Sequence, residues 1–412
     1  MAWEPVLDDR LADEARAAVD AVIDDLGRLG PEQRRPSDEA LFWAYAAGAF
    51  DDARTARCFD ASIIALHAWL AAPLPSLQLY GGLAGAAWVL AHVSEDAGEF
   101  LDEVDRALID VLREPWPAGH DLIKGLAGFG VYFLERLRTG APAARPGVSR
   151  VVEALAATAE EQPEGATWLS HPDQLPPWQR EVSPSGHYDV GVAHGVPGVI
   201  AFLGTVAALG DPEPAAGQAR ALCERAGRWV RARRLPPHPR GWFPSVLARD
   251  PREPERARTA WCYGDPGIAV ALWSAAIRTG ADPAEWRELA LESARRPAEL
   301  CGVVDASLCH GAAGLAHLCN RFFQASGDER FRQAARGWFE RTLAMRRPGA
   351  GIGGFTGRRP RAPGVDDAPV EQILPDFLDG TIGVALALLA GVSHEEPGWD
   401  RLLLCDLPPL QP

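Results

Sequence analysis

Two cysteines and a histidine occupy matching places in a repeated glycine motif. Cys262 and Cys309 each precede a glycine by two residues, and His310 directly follows Cys309. Two thiolates and an imidazole are donors that zinc prefers, and three protein ligands leave a fourth position open for catalysis. The two cysteines stand 47 positions apart, which does not match the spacing of a zinc finger. Because a buried cysteine on an apolar helix is more often a packing residue, packing stays open as the alternative.

Four further residues near such glycines carry groups suited to acid–base or electrostatic chemistry. His194 stands directly before a glycine and titrates near neutral pH, although a core histidine is an equal alternative. Asp121 precedes another glycine and could instead cap the helix that follows. Arg258 lies in the stretch REPERAR, where a solvated charge is the ordinary interpretation. Tyr263 adjoins Cys262, where an aromatic ring could simply pack.

The remaining histidines and cysteines show no such pattern. His120, His187 and His317 have no recognisable partner and are interpreted as structural or surface residues. The other cysteines align with no glycine turn and are interpreted as packing residues: Cys58, Cys223, Cys301, Cys319 and Cys405. The total of seven cysteines is odd and no secretory signal is visible, so we expect reduced thiols and no disulfide framework.

All of these candidates lie beside one repeated element. Six segments open with Gly-x-x-Gly and continue as an apolar stretch of helical length; they start at Gly82, Gly125, Gly195, Gly264, Gly311 and Gly380. The starts lie 43, 70, 69, 47 and 69 residues apart, which leaves room for a second helix in each unit. The helices after the turns are apolar on nearly every face, whereas those between them are amphipathic. We therefore predict an all-α fold in which an outer ring of helices surrounds a buried inner ring, with the turns meeting at one end.

Other stretches are interpreted as connections within a single domain that spans residues 1–412. Strand signals are poor, and the segments rich in Pro, Arg and Gly near 140–150, 160–190, 234–258 and 346–372 are predicted to be loops. Residues 191–210 carry no charge, but their five glycines and Pro197 favour a loop that leads into a buried helix over a membrane span.

The composition narrows the classes of partner. The 41 basic and 56 acidic residues give a formal net charge of −15, and a surface this acidic repels phosphate backbones and anionic membranes. We therefore expect that this chain binds no nucleic acid. With no membrane span predicted, we also expect that it is not an integral membrane protein. The first ten residues, MAWEPVLDDR, lack the basic start and apolar run of a signal peptide, which favours a soluble, cytoplasmic protein.

Three motif segments resemble those of the lanthionine synthetase C-like family, the LanC-type cyclases. They read YDVGVAHGVPGVI at 188–200, RTAWCYGDPGIAVAL at 258–272 and SLCHGAAGLAHL at 307–318. The weaker turns at Gly82, Gly125 and Gly380 extend the resemblance over roughly residues 80–390. The resemblance implies an α/α toroid of seven inner and seven outer helices. Since only six glycine turns are visible, we expect one unit to have a degenerate turn.

The same motifs imply a metal site. Cys262, Cys309 and His310 match the three zinc ligands of the family, which implies one Zn²⁺ per chain. His194 matches its acid/base histidine. The other matches to active-site groups of the family are Arg258, Tyr263 and Asp121.

Two positions depart from the family pattern. Asp189 stands where the family more often has Asn. The approach to Asp121, which reads HDLIKG, also differs from the usual one.

The resemblance implies a reaction and its partners. The family adds a peptide cysteine thiol to dehydroalanine or dehydrobutyrine and so closes a (methyl)lanthionine thioether ring in lanthipeptide (lantibiotic) biosynthesis. We expect the substrate to be a precursor peptide already dehydrated by a separate dehydratase, with an exporter as a further candidate partner. One alternative on the same residues is the addition of a small thiol, such as glutathione, to dehydroamino acids. Another is a non-catalytic zinc scaffold that binds a peptide, although structural zinc sites are usually closed by four ligands.

Overall fold

Two layers of α-helices make up most of the computed structural model, which describes residues 3–50, 52–72, 76–117, 119–210, 214–250, 252–359 and 370–410. The inner layer consists of Pro36–Phe50 (α2), Leu83–Val93 (α4), Leu126–Arg138 (α6), Val196–Ala207 (α9), Asp265–Thr279 (α11), Ala312–Ser326 (α13) and Thr381–Val392 (α15). The outer layer consists of Asp9–Leu26 (α1), Ala53–Leu70 (α3), Gly98–Val111 (α5), Arg145–Thr158 (α7), Ala216–Arg231 (α10), Ala284–Ala294 (α12) and Glu329–Ala344 (α14). A short helix, Pro177–Val182 (α8), lies in a connection.

Both layers close into rings. Each inner helix contacts the next along the chain, and α15 returns to α2. Most outer helices lie against the inner helix that precedes them, as α10 does on α9 and α14 on α13, whereas α1 packs on α15. The residues before α1 reinforce this contact, since Trp3 Nε1 donates to the carbonyl of Ala390 at 3.0 Å. The predicted α/α toroid of seven inner and seven outer helices is confirmed.

The second glycine of each turn is required because the chain passes very close to itself there. A Cβ atom on Gly198 would collide with the carbonyl oxygen of Val192, six residues earlier. Gly267 and Gly314 meet the carbonyls of Trp261 and Leu308 in the same way. Only a residue without a side chain allows the approach segment to cross over the first turn of the helix.

The seventh inner helix, α2, has no glycine turn. It begins at Pro36 and carries Asp38 and Glu39 in its first turn, where acidic residues interact favourably with the helix dipole. Asp38 accepts a hydrogen bond of 3.1 Å from the backbone N–H of Phe377, which lies just before α15. This is the degenerate unit that the count of six turns predicts.

Three short two-stranded antiparallel sheets occur where the sequence predicted loops. They pair Glu160–Gln162 (β1) with Gly165–Thr167 (β2), His187–Asp189 (β3) with Val246–Ala248 (β4), and Gly357–Arg359 (β5) with Val370–Gln372 (β6). The loop prediction is therefore wrong at these residues, and also near 140–150, where α7 begins. Runs of three residues are too short to give a periodic signal. Part of the predicted loop at 346–372, residues 360–369, lies outside the described residues.

A 3₁₀ helix near the end of the chain, Gly398–Leu403, fills the centre of the inner ring. Asp400 and Arg401 form buried or half-buried ion pairs with Arg321 of α13 and Glu135 of α6. Trp261 Nε1 donates to the carbonyl of Leu403 at 3.0 Å. Because its partners come from opposite sides of the ring, this segment ties the inner helices to one another.

Within the described ranges, no helix combines the length and apolar character that crossing a bilayer requires. The uncharged stretch at 191–210 contains a glycine turn followed by the buried helix α9, as predicted.

Candidate active site

The six glycine turns are joined at one end of the inner layer into a structure that we call the turn ring (residues 80–85, 123–128, 193–198, 262–267, 309–314 and 378–383). Ala193 donates its backbone N–H to the carbonyl of Cys262 at 3.3 Å, and Cys262 donates to Cys309 at 3.3 Å. Cys309 donates to Leu378 at 2.9 Å. These four residues all stand two places before the first glycine of their turn. The turn ring therefore aligns equivalent positions of successive repeats.

Cys262, Cys309 and His310 present three donor atoms that all lie within 4.8 Å of one another. Two atoms that each lie about 2.3 Å from one zinc ion are at most about 4.6 Å apart, so these donors have nearly the spacing that a shared ion requires. Two soft sulfurs and one imidazole suit a zinc-like ion better than calcium or magnesium. In the part of the chain that the structure describes, this is the one group of three or more such side chains at that spacing.

Asp305 supports the imidazole of His310. Its Oδ2 atom lies 3.5 Å from His310 Nε2, and its Oδ1 atom accepts the backbone N–H of Ser307 at 3.0 Å. A carboxylate beside a ligating histidine fixes the orientation of the ring and makes the imidazole a stronger donor to metal. Sequence reasoning missed Asp305, although it stands six residues before its glycine, as Asp189 and Arg258 do in the preceding turns.

The protonation of the three donors reflects how closely they lie. A hydrogen bond from Cys309 holds the pKa of Cys262 well below its usual value, and His310 and Arg258 add to this effect. Burial alone would lower the pKa of His310, but hydrogen bonds to Asp305 and Cys262 raise it to about 10. The site thus binds positive charge strongly, and a metal ion would replace the protons that the donors share.

His194 and Asp121 form a hydrogen-bonded pair beside these donors. His194 Nδ1 lies 2.8 Å from Asp121 Oδ2. The other oxygen of Asp121 accepts the backbone N–H groups of Lys124 and Gly125 at 2.8 and 2.9 Å. Asp121 therefore both caps its turn and orients His194, so the two interpretations from sequence are not exclusive.

The electrostatic surroundings of His194 favour its protonated form. Burial alone would lower its pKa, but the hydrogen bond and charge of Asp121 raise the pKa above its usual value. Asp189 adds to the increase, and Lys124 opposes it. A histidine tuned in this way can donate a proton at neutral pH.

Tyr263 and Asp189 form a second pair on the other side of His194. Tyr263 Oη donates to Asp189 Oδ1 at 2.6 Å, and the Tyr263 ring stacks on His194 with centroids 6.3 Å apart. Ser170 Oγ donates to Asp189 Oδ2 at 2.6 Å, and His187 Nε2 lies 3.2 Å from the same oxygen. The antiparallel pairing of β3 with β4 holds His187 and Asp189 in place.

Arg258 extends from an exposed loop on the thiol side of the site. Its charge contributes to lowering the pKa of Cys262, which places the guanidinium near the sulfurs. Among the described residues it has no hydrogen-bond or ion-pair partner, so all of its N–H donors are available to a ligand.

A polar cleft opens beside the His194–Tyr263 pair. Its walls come from the approach to α6, from the segment around α8 and from β3; its polar lining includes His120, Asp121, Lys124, Ser170, Gln174, Gln179, His187, Asp189, His194 and Tyr263. His120 and His187 are buried and line this cleft, which corrects any surface interpretation of them. His317 is instead structural, since it pairs with Asp400 inside the ring at 2.8 Å.

Known proteins resemble this chain over the region that contains the site. A sequence profile described as lanthionine synthetase C-like protein matches residues 39–404, from α2 to the segment that fills the ring. The chain belongs to this family. Nisin biosynthesis protein NisC of Lactococcus lactis subsp. lactis is 25% identical over 282 residues, which are 62% of this chain and 64% of that protein. The chain therefore aligns with less than two thirds of the length of this relative.

A solved structure named nisin cyclase shares the fold. The two structures superpose with a TM-score of 0.74 and 20% sequence identity. The match covers 94% of this chain and 96% of the nisin cyclase chain. At that identity the likeness shows the toroidal fold alone.

Proposed function

We propose that this chain is a zinc-dependent cyclase that adds a peptide cysteine thiol to dehydroalanine or dehydrobutyrine and forms a (methyl)lanthionine ring. The observation that carries the proposal is that Cys262, Cys309 and His310 converge in turns that a backbone hydrogen bond joins to the turn of His194, which pairs with Asp121. The family and the name of the relative, nisin biosynthesis protein NisC, support a peptide substrate. A precursor peptide dehydrated by a separate enzyme in the cytoplasm, with an exporter acting later, fits this assignment.

Cys262, Cys309 and His310 would hold the zinc ion. When bound, zinc supplies a positive charge that lowers the pKa of a coordinated thiol and so provides thiolate at neutral pH. Three protein ligands leave one position for the substrate, whereas a structural site would usually have four. This supports an enzyme over a zinc scaffold.

The other residues of the site act on the dehydroamino acid. Addition of sulfur to its β-carbon moves an electron pair through the double bond onto the carbonyl oxygen and creates an enolate. The unpaired guanidinium of Arg258 can stabilise the negative charge on that oxygen. His194, whose pKa Asp121 raises, then delivers a proton to the α-carbon, which completes the thioether.

Metal content tests the ligand assignment. We expect the purified, reduced protein to contain about one zinc per chain by elemental analysis. Cys309→Ala should lose most of the metal, because two remaining ligands hold the ion weakly. Cys301→Ala is the matched control, since Cys301 is buried beside the carbonyl of Pro297 and away from the three donors. Zinc-free wild-type protein, or equal loss in both variants, would contradict the assignment.

Substrate choice tests the reaction. A synthetic peptide with one dehydroalanine and one cysteine should lose its free thiol without a change in mass, as measured by alkylation and mass spectrometry. A second peptide without cysteine is offered together with glutathione. Faster reaction of the second peptide would favour the small-thiol alternative, and no enzymatic acceleration of either reaction would contradict catalysis.

A further inference from the structure

Asp189 controls the direction of a hydrogen bond at the edge of the cleft. Its side chain is buried, and its two oxygens receive Tyr263 Oη at 2.6 Å, Ser170 Oγ at 2.6 Å and His187 Nε2 at 3.2 Å. Burial alone would raise the pKa of Asp189, but these three partners lower it below its usual value. The side chain is therefore an anion that accepts hydrogen bonds and donates none.

This anion determines what Tyr263 can offer to a ligand. The phenol has one proton, and because a carboxylate cannot donate, that proton must point at Asp189. A phenol has an ordinary pKa of about 10, so Tyr263 keeps its proton at neutral pH. Tyr263 is a half-buried residue that lines the cleft, so its oxygen can offer only lone pairs to a ligand there. The Asn that the family more often carries at this position could donate as well as accept, so it would leave the direction open.

We propose that Asp189 is a positioning residue that makes Tyr263 a hydrogen-bond acceptor for a backbone N–H of the peptide substrate, next to the reacting dehydroamino acid. The inference rests on the proposed cyclase function and deepens it. Tyr263 directly follows Cys262 and its ring stacks on His194, so the side chain lies next to both the thiol side of the site and the proposed proton donor. A substrate N–H held there would fix the dehydroamino acid between its two reaction partners, and proton delivery is left to His194.

The test compares two synthetic peptides in which dehydroalanine and cysteine are separated by three glycines. One has an amide on the N-terminal side of dehydroalanine, and the other has an ester oxygen in place of that N–H. A neutral hydrogen bond corresponds to about a 2- to 12-fold effect, so wild-type kcat/KM should fall by that factor with the ester. Tyr263→Phe should lose the preference, mainly through KM for the amide peptide. Asp189→Asn should weaken the preference and have no further effect in the Tyr263→Phe background.

Tyr188→Phe is the matched control. Tyr188 also donates to a carboxylate, Glu160 Oε2 at 2.8 Å, and adjoins Asp189 in β3, but it does not line the cleft. This variant should keep the amide preference. Zinc content and thermal melts identify variants that fail to fold, and Asp189→Glu, which retains an accepting carboxylate, then provides the second test by keeping part of the preference.

Several results would overturn the inference. They are a preference that survives in Tyr263→Phe, a large loss of kcat in Tyr263→Phe with unchanged KM, and equal effects of Asp189→Asn in both backgrounds. If wild-type protein binds the peptides in calorimetry without cyclising them, the proposed function fails while the ratio of the two dissociation constants still tests Tyr263. If it neither binds nor cyclises them, both proposals fail.

Discussion

Asp121 serves two partners with its two oxygens, and this division makes it informative to substitute. One oxygen caps the turn before α6, and the other holds His194. One carboxylate therefore both stabilises the turn and orients the proposed acid. A variant that keeps one oxygen can separate these two roles.

We expect Asp121→Asn to move the pH dependence of cyclisation. His194 acts as an acid, so the rate falls as pH rises through its pKa, which Asp121 holds above the usual value. The amide removes the charge that raises this pKa, so the falling limb of kcat/KM should shift to lower pH. Asn keeps an oxygen for Lys124 and Gly125, so thermal stability should change little. An unshifted limb would contradict the role of Asp121 in charging His194.

A second expectation concerns His194 itself. His194→Asn should retain zinc, because His194 is not one of the three convergent donors. Cyclisation should fall by about 10²–10⁴-fold, the usual contribution of a general acid–base group. Zinc analysis and a thiol-loss assay on the same preparation separate the two effects. A wild-type rate would make His194 a packing residue, and loss of zinc would place it among the ligands.

The residues of the site differ in how visible they are in the sequence. Those two places or fewer before a glycine, such as Cys262 and His194, stand in register and could be predicted. Asp305 and His187 could not, because they stand six and eight places before their glycines, where the repeats share no consistent residue type. Whether Cys262, Cys309 and His310 bind zinc, and whether Asp121, His194, Arg258 and Tyr263 act in catalysis, stay predictions.

At the scale of elements, α2 shows how a repeat can lose its motif and keep its place. Its neighbours in the ring are joined by backbone hydrogen bonds between turns, whereas α2 receives the N–H of Phe377 on the side chain of Asp38. The sequence correctly indicated a degenerate unit but not its position. The reason is that a single aspartate in a helical N-terminal turn is too common to be a signal.

Asp38 should make stability depend on pH. Burial and the nearby Asp376 raise its pKa to about 7 in the folded protein, compared with 3.8 in the unfolded chain. A raised folded pKa stabilises the protein at low pH, and this contribution is lost as pH rises through about 7.

Asp38→Asn keeps an oxygen for Phe377 and removes the charge. We therefore expect a higher melting temperature than wild type at pH 8 and a smaller difference at pH 5, both measured by calorimetry. Asp38→Ala, which loses the acceptor, should melt lower than Asp38→Asn at both values. The same difference between wild type and Asp38→Asn at the two pH values would exclude titration of Asp38 as the cause.

At the scale of the whole molecule, the segment Gly398–Leu403 makes the ring a packed body instead of an open channel. Asp400 is fully buried and pairs with His317 at 2.8 Å and with the buried Arg321. These ties connect helices on different sides of the toroid, which supports the prediction of a single domain over residues 1–412.

Asp400→Asn should reveal how cooperative the toroid is. The substitution leaves the Arg321 charge buried without its main partner, which costs about 3–5 kcal/mol. Glu396→Gln is the matched control: it affects the same Arg321 through a side chain that is 65% exposed and should cost less than about 1 kcal/mol. Urea unfolding followed by tryptophan fluorescence and by circular dichroism should give coincident curves for both variants. An early transition seen by one probe alone would show that part of the ring unfolds separately.

The fold of the turn ring does not depend on the side chains that carry its proposed chemistry. Its links at Ala193, Cys262, Cys309 and Leu378 run between backbone atoms, so evolution or a designer can change any of these side chains while the same polypeptide frame persists. A descendant that replaced both cysteines could remain a well-formed toroid without chemistry of its own. By the same reasoning, a new ligand introduced at Leu378 would lie beside Cys309 with its backbone already in position, so the turn ring is a starting point for redesigning the proposed metal site.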